Sequence, residues 1–356
     1  MEVRKVQKVG YSTLTISLPR DWIKEKGLKA GDIITFVKGE DGSLKLYAGI
    51  LSSKRKQVKC FIDADQCKEK GLISRIITGS YIIAHDIVEI ASKRELQQEH
   101  LNEIRQTVQK LNGLGIVEQS LKHIVLQSFI DPENFPFQGL LKKLYIITSS
   151  MLSAILKALQ EMRRDLLVEV LNMEDEVDRI YWLGIRQLVL AAKDRELGKI
   201  IGIEDPAHVV GNRVILMSLE KIGDLLADMA EEALSVIKLD VKPPPPLLKE
   251  ISELANKIAN IYDRVVSAFL IFDLKLANKL LEEIEEVRKS VKESLKKLIQ
   301  ISEFAQQNDY RLLIPLRTVM WNLGEVVRLC GTLAQITMNR SLEFQNDICR
   351  LEELEQ

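Results

Sequence analysis

With 356 residues, 46% of them hydrophobic and 28% charged, the chain has an ordinary globular composition and enough apolar residues for two or three domains. No run approaches eighteen consecutive apolar residues and no signal-peptide pattern opens the sequence, so we expect a cytoplasmic protein without direct membrane insertion. The four cysteines, Cys60, Cys67, Cys330 and Cys349, lack CxxC spacing; they read as reduced thiols and argue against a zinc finger or a disulfide framework.

The net charge of −1 hides an asymmetry. Residues 1–60 carry thirteen Lys or Arg against six Asp or Glu, which leaves the remainder acidic. A basic head on an acidic body suggests that the head meets a polyanion. Within it, Thr13–Leu18 alternates polar and apolar as a half-buried strand does. Pro19 opens a short helix, Arg20–Lys26, and Gly27 closes it, the usual asymmetry of helix ends. Ile33–Val37 and Ser43–Tyr47 form a hairpin across Gly39-Glu40-Asp41-Gly42. Some fifty residues make only a thin core, so such a unit needs a partner.

The run VQKVGYSTLTISLPRDWIKEKGLKAGDIITFV, with Gly10, Pro19 and the Leu28-Lys29-Ala30-Gly31-Asp32 turn, resembles the SpoVT/AbrB-like swapped-hairpin domains. The resemblance implies a homodimer made by interleaved hairpins of residues 1–50, and DNA as a partner. Arg4, Lys5, Lys8 and Arg20 are the candidate DNA-binding residues. A basic surface that only accompanies dimerisation, or a toxin-type partner in place of DNA, stays open. Lys54-Arg55-Lys56 forms a short basic linker able to follow phosphates.

Residues 57–130 read as an α+β middle domain. Strand candidates Gln57–Ile62, Tyr81–Ile90, Ile116–Ser120 and His123–Phe129 alternate with helices Cys67–Ser80 and Leu101–Leu111. The order β-α-β-α-β-β predicts a small sheet backed by two helices. It has no phosphate loop and no nucleophile elbow, so it reads as a structural or interaction module.

After a break at Asp131–Phe137 the pattern is helical throughout: about Leu140–Met162, Asp165–Lys193 and Ala207–Ile237, then Leu247–Phe272, Leu274–Glu303 and Tyr310–Ser341. Pro243–Pro246 separates the two sets as an extended stretch no helix crosses. We therefore expect two three-helix bundles, residues 138–241 and 246–345. The second repeats the first, since an offset of 110 places Leu171 on Leu281 and one of 104 places Leu219 on Leu323.

The first bundle carries an acidic row. Glu220, Asp224 and Asp228 at i, i+4 and i+8 lie along one edge of a helix whose apolar positions fall on the opposite side, so the acids face out of the core. Glu174 and Asp178 form a second pair on the preceding helix. A solvated acidic face is one reading. The other starts from repulsion, about 0.2–0.5 kcal/mol for each like-charged i, i+4 pair, which invites a counter-ion. Oxygen ligands without His or thiolate suit a hard cation. None of His85, His100, His123 and His208 has a partner at ligand spacing.

MEDEVDRI and LEKIGDLLADMAEE, with the spacing between them, resemble the PhoU family of phosphate-uptake regulators over about Leu140–Leu239. The resemblance implies a divalent or trivalent metal ion (Mg, Mn, Fe, Zn or Ca) bound by Glu174, Asp178, Glu220, Asp224 and Asp228. In the second repeat the counterparts are Ile284, Arg288, Gly324, Arg328 and Thr332, which lack every ligand. Arg288 and Arg328 are candidates to hold an anion, or simply pair with Glu285 and Glu325. The function implied is a dimeric, DNA-binding regulator of phosphate uptake. The alternative is an interaction protein that docks on a phosphate ABC transporter ATPase, its head only dimerising. No activated nucleophile or general base accompanies the carboxylates, which points away from an enzyme.

Overall fold

Two antiparallel hairpins and one short helix form the first part of the protein. Strand β1 (Gln7–Val9) pairs with β2 (Thr13–Thr15), and β3 (Ile34–Lys38) pairs with β4 (Leu44–Ala48) with Phe36 opposite Leu46. Helix α1 (Arg20–Lys26) lies between them and stops at Gly27, whose φ of 64° is left-handed and costs glycine nothing. The computed structural model describes residues 2–38, 42–50, 57–239, 242–304, 310–343, 345 and 347–350. Most of the Gly39–Gly42 loop and the Lys54-Arg55-Lys56 linker lie outside them. The chain divides into two units, Met1–Gln57 and Val58–Gln356.

No described residue of 2–50 is buried. Val9, Leu14, Ile16 and Phe36 are each more than half exposed, although the alternating pattern gives each strand an apolar side. The unit by itself therefore has only a thin core.

The second unit opens with a four-stranded sheet in the order β5-β6-β8-β7: β5 (Lys59–Asp63), β6 (Ile87–Ala91), β8 (His123–Ser128) and β7 (Leu114–Gln119). The pairing β5–β6 is parallel and the other two antiparallel. Ile62, Val88, Ile90, Ile124 and Leu126 alternate onto one face and share a core with Ile73, Ile77 and Tyr81 of α2 (Leu72–Ile82) and Ile104 of α3 (Gln98–Lys110). The order of elements is the expected one, but two boundaries move. Gly71, at φ 80°, is the N-cap of α2, so the helix starts later than Cys67. Tyr81 and Ile82 complete that helix instead of opening a strand.

Six long helices follow: α4 (Phe137–Glu161), α5 (Arg164–Lys193), α7 (His208–Lys238), α8 (Pro245–Ile271), α9 (Leu274–Phe304) and α10 (Tyr310–Ser341). A short helix not anticipated from sequence, α6 (Arg195–Ile200), is capped by the Asp194 carboxylate accepting from Glu196 and Leu197 N–H. Helix α8 begins inside the proline run, with Pro244 as N-cap and Pro245 as its first residue, because a first turn has no use for those N–H groups.

The duplication is visible in three dimensions. Buried Leu167, Val170, Tyr181 and Leu188 recur at an offset of 110 as Ala277, Leu280, Val291 and Leu298. Ile215, Leu219, Ile222 and Met229 recur at 104 as Val319, Leu323, Val326 and Leu333. Even the left-handed C-caps correspond, Met162 at φ 55° and Phe272 at φ 53°. The repeats do not keep separate cores, however. One apolar cluster runs through all six helices. Between α4 and α8 the buried Thr148 and Tyr262 hydroxyls bond at 2.8 Å, and between α7 and α10 Asn322 donates to the Leu225 carbonyl.

Helix α4 is long and apolar enough, by length and composition, to cross a bilayer. Here ten of its side chains, from Phe137 to Leu159, pack in the protein interior.

Candidate metal centre

Helices α5 and α7 cross closely because two glycines leave room. A Cβ on Gly223 would lie 2.8 Å from Val177 Cγ1, and one on Gly184 would lie 2.9 Å from Leu216. Without side chains at these points the backbones approach to where short acids on both helices meet.

The acids that meet are Glu174, Asp178 and Asp224. One ligand oxygen from each lies within 4.8 Å of the others, and all three are half-buried. Sequence periodicity placed Asp224 facing out of the core and paired Glu174 with Asp178 on the preceding helix; the structure places all three at the edge of the α5–α7 seam, partly covered. That burial has an electrostatic consequence. The Asp178 carboxyl is pushed above the usual range first by desolvation and then by the Asp224 charge. Glu174 is raised by desolvation and then by Asp178, Asp175 and Asp224. Glu220, half-buried one turn before Asp224, is pushed up to about 7 by burial, then by Asp224 and Asp178. It feels the cluster but is not among the three whose oxygens converge. Asp228 is exposed and stands apart.

The donor set suits a hard cation: only oxygens, partly desolvated, at distances one ion can bridge, with charge that disfavours the empty arrangement. Two ammonium groups attend it. Lys221 Nζ is 2.9 Å from Asp224 Oδ2, and Lys110 Nζ is 3.9 Å from Asp175 Oδ1. Among the described residues no other three acids, histidines or cysteines converge in this way.

In the second repeat Ile284 is buried, Arg288 donates to Glu285 at 2.5 Å and Arg328 to Glu325 at 2.7 Å. Each guanidinium is thus paired within its own helix. Glu282 and Glu286 lie exposed on α9.

The basic candidates of the head are all exposed: Arg4, Lys5, Lys8 and Arg20. Arg4 pairs with Glu2, Lys8 stands opposite Leu14 in the first hairpin, and Arg20 is the first residue of α1. Three of the four histidines are held by neighbours: His123 by Glu89 at 2.8 Å, His208 by Glu343 at 2.9 Å, and His100 by the Cys67 carbonyl.

Two residues that periodicity did not single out tie the sheet to α5. Arg186 is buried; its Nη1 donates to the Tyr81 and His85 carbonyls at 2.6 and 3.0 Å, and its Nη2 lies 3.6 Å from Asp86. Lys110 ends α3 beside the carboxylates. The one trace of Arg186 in the sequence is a polar pair, Arg186-Gln187, inside the apolar run Trp182–Leu190.

Residues 141–233 match the PhoU domain. This PhoU-matching stretch holds α5, most of α7 and all five acids proposed from sequence. Residues 7–56 match a second family, antidote-toxin recognition MazE, a bacterial antitoxin, where the swapped-hairpin resemblance was read. No curated protein matches the chain with significance. The crystal structure of PhoU from Pseudomonas aeruginosa is similar in fold, with a TM-score of 0.51 at 15% identity over 57% of this chain and 93% of that one.

Proposed function

We propose that the chain is a PhoU-like regulator of phosphate uptake that binds operator DNA as a dimer through its N-terminal unit and carries a cation on its first helical repeat. The observation that carries this reading is the convergence of Glu174, Asp178 and Asp224 inside the PhoU-matching stretch. Those three residues would hold the ion, with Glu220 beside them; a bound cation would supply positive charge that offsets their repulsion. Dimerisation is supported by the head's exposed apolar residues, which a second copy would cover. DNA binding is supported by the excess of basic residues there.

A second reading, a protein that docks on a transporter ATPase with the head only dimerising, draws on the local pairing of head charges, Arg4 with Glu2 and Lys26 with Glu25. A gel shift with promoter DNA of phosphate-uptake genes separates the two. The DNA reading expects binding that weakens steeply with salt and prefers the promoter over random duplex. Absence of both leaves the docking reading.

A further inference from the structure

On the six-helix body, large apolar side chains stay in solvent at corresponding places in the two repeats. Val210 on α7 is 73% exposed and Ile314 on α10, 104 residues on, is 68% exposed; Met217 is 49% exposed and its counterpart Trp321 58%. Other exposed apolar residues of the long helices do not recur: Ile146 falls on Asn256, Val168 on Asn278 and Ile271 on Glu161. Arg213 and Arg317 correspond as well. Each helix thus presents an apolar residue, an arginine three positions later and a second apolar residue at the seventh. Exposed apolar groups recur here although the acids of the first repeat do not.

The two half-faces adjoin. Helices α7 and α10 run antiparallel, since His208 meets Glu343, Gly211 lies by Ile336, and Asn322 bonds the Leu225 carbonyl. Helices α4 and α5 flank α7, while α8 and α9 flank α10; α4 and α8 meet beneath the pair through Thr148 and Tyr262. What remains open is the groove on the other side. Because the first half of each helix lies beside the second half of the other, the four apolar residues cross that groove obliquely. Trp, Met and Arg are enriched in interfaces, and a groove between two helices accepts a third.

Charge decides which third helix fits. In residues 207–219 and 311–324 the charged side chains are Arg213, Arg311 and Arg317, besides His208, which Glu343 holds. A second copy of the chain would set these arginines against their own kind, and an anionic bilayer would press on Asp224 and Asp228 of the same helix. We propose that the α7–α10 groove docks an acidic amphipathic helix of a partner protein. Apolar residues of that helix, seven apart, cover Val210 with Met217 and Ile314 with Trp321, and its carboxylates meet Arg213 and Arg317. Nothing in this docking requires the cation or DNA.

Fluorescence anisotropy of two labelled helical peptides tests this on the full chain. Each has about twenty residues, long enough at about 30 Å to cross the groove. One carries leucines at three- and four-residue spacing flanked by glutamates, and the other has lysine in place of every glutamate. Only the acidic peptide should bind, and Met217→Ser with Trp321→Ser should weaken it about tenfold or more. Ile271→Ser, at an exposed residue outside the groove, should change nothing. Arg213→Glu with Arg317→Glu should transfer binding to the basic peptide, a gain that damage to the fold would not produce. The proposal is overturned if neither peptide binds, if both bind equally, or if the doubly reversed chain keeps the original preference. It is overturned equally if Met217→Ser with Trp321→Ser lowers the oligomeric state in sedimentation velocity, which assigns the groove to a second copy. Loss, in that variant, of binding to phosphatidylglycerol vesicles shown by the wild type assigns it to a lipid surface and overturns the proposal too.

Discussion

Val177 Cγ1 stands 2.8 Å from where a Cβ of Gly223 would be, so one missing methyl sets how closely α5 and α7 approach. Gly223→Ala gains about 1 kcal/mol of helix propensity, but forcing a methyl into a packed seam costs about 1–3 kcal/mol. We expect a lower melting temperature, and weaker Mn²⁺ binding because the acids move apart. Adding Val177→Ala makes room for that methyl. Melting and titration of both variants check this: the double variant should recover Mn²⁺ affinity, whereas Val177→Ala alone should not improve it.

Among its described residues the second repeat offers no cluster like the first, since Ile284 and Gly324 carry no charge and Arg288 and Arg328 are paired. Asp178→Ala with Asp224→Ala should therefore abolish metal in the purified protein. Metal that persists in this variant and disappears when Glu282 and Glu286 are also changed would place a second site on α9.

Glu220 holds its proton up to about pH 7, against 4.5 for an ordinary Glu. The folded state therefore binds the proton more tightly than the unfolded chain. Its contribution to stability is full below about 4.5 and is lost as pH rises towards 7. Metal-free protein should melt a few degrees lower at pH 7.5 than at pH 5 from this group alone. Glu220→Gln should flatten the profile, which a melting series over that range reads directly.

On the head, Arg20 begins α1 and Lys45 lies on β4 opposite Val37. If the face that includes the first hairpin and α1 meets phosphates, Arg20→Ala weakens DNA binding and lowers the salt slope by about one, while Lys45→Ala changes little. Fluorescence titrations at several salt concentrations compare them; equal effects would move the interface to another face.

Arg186 is the buried link between α5 and the turn after α2. Arg186→Met leaves two carbonyls and Asp86 without its donors, which we expect to cost about 3–5 kcal/mol. Urea denaturation should show the midpoint falling.

Local pattern carried a great deal of this protein. The period of apolar residues gave six long helices close to their ends, and the offsets of 110 and 104 gave the duplication, because burial of a helix face repeats wherever the same residues recur. Apolar and β-branched runs gave the succession of elements in the α+β domain, though not the order of its strands in the sheet. They misplaced α2 and the following strand because Tyr81–Ala84 is an apolar run, too short to have a period with which to tell a helix end from a strand start. Periodicity also paired Glu174 with Asp178 and Glu220 with Asp224 and Asp228, since i, i+4 neighbours are fixed by the helix alone.

What the tertiary structure decided is which neighbour covers each edge. The sequence determined that the acids avoid the apolar side of their helices; only the crossing at Gly184 and Gly223 brought Glu174, Asp178 and Asp224 together and left Asp228 outside. Lys110 reaches the seam from 65 residues away in sequence, counted to Asp175, and Arg186 reaches Tyr81 across 105. No local period extends so far. The two repeats likewise share one core because α7 packs on α10 and α4 on α8, contacts that depend on the shape of whole helix faces rather than on the spacing of residues along either one.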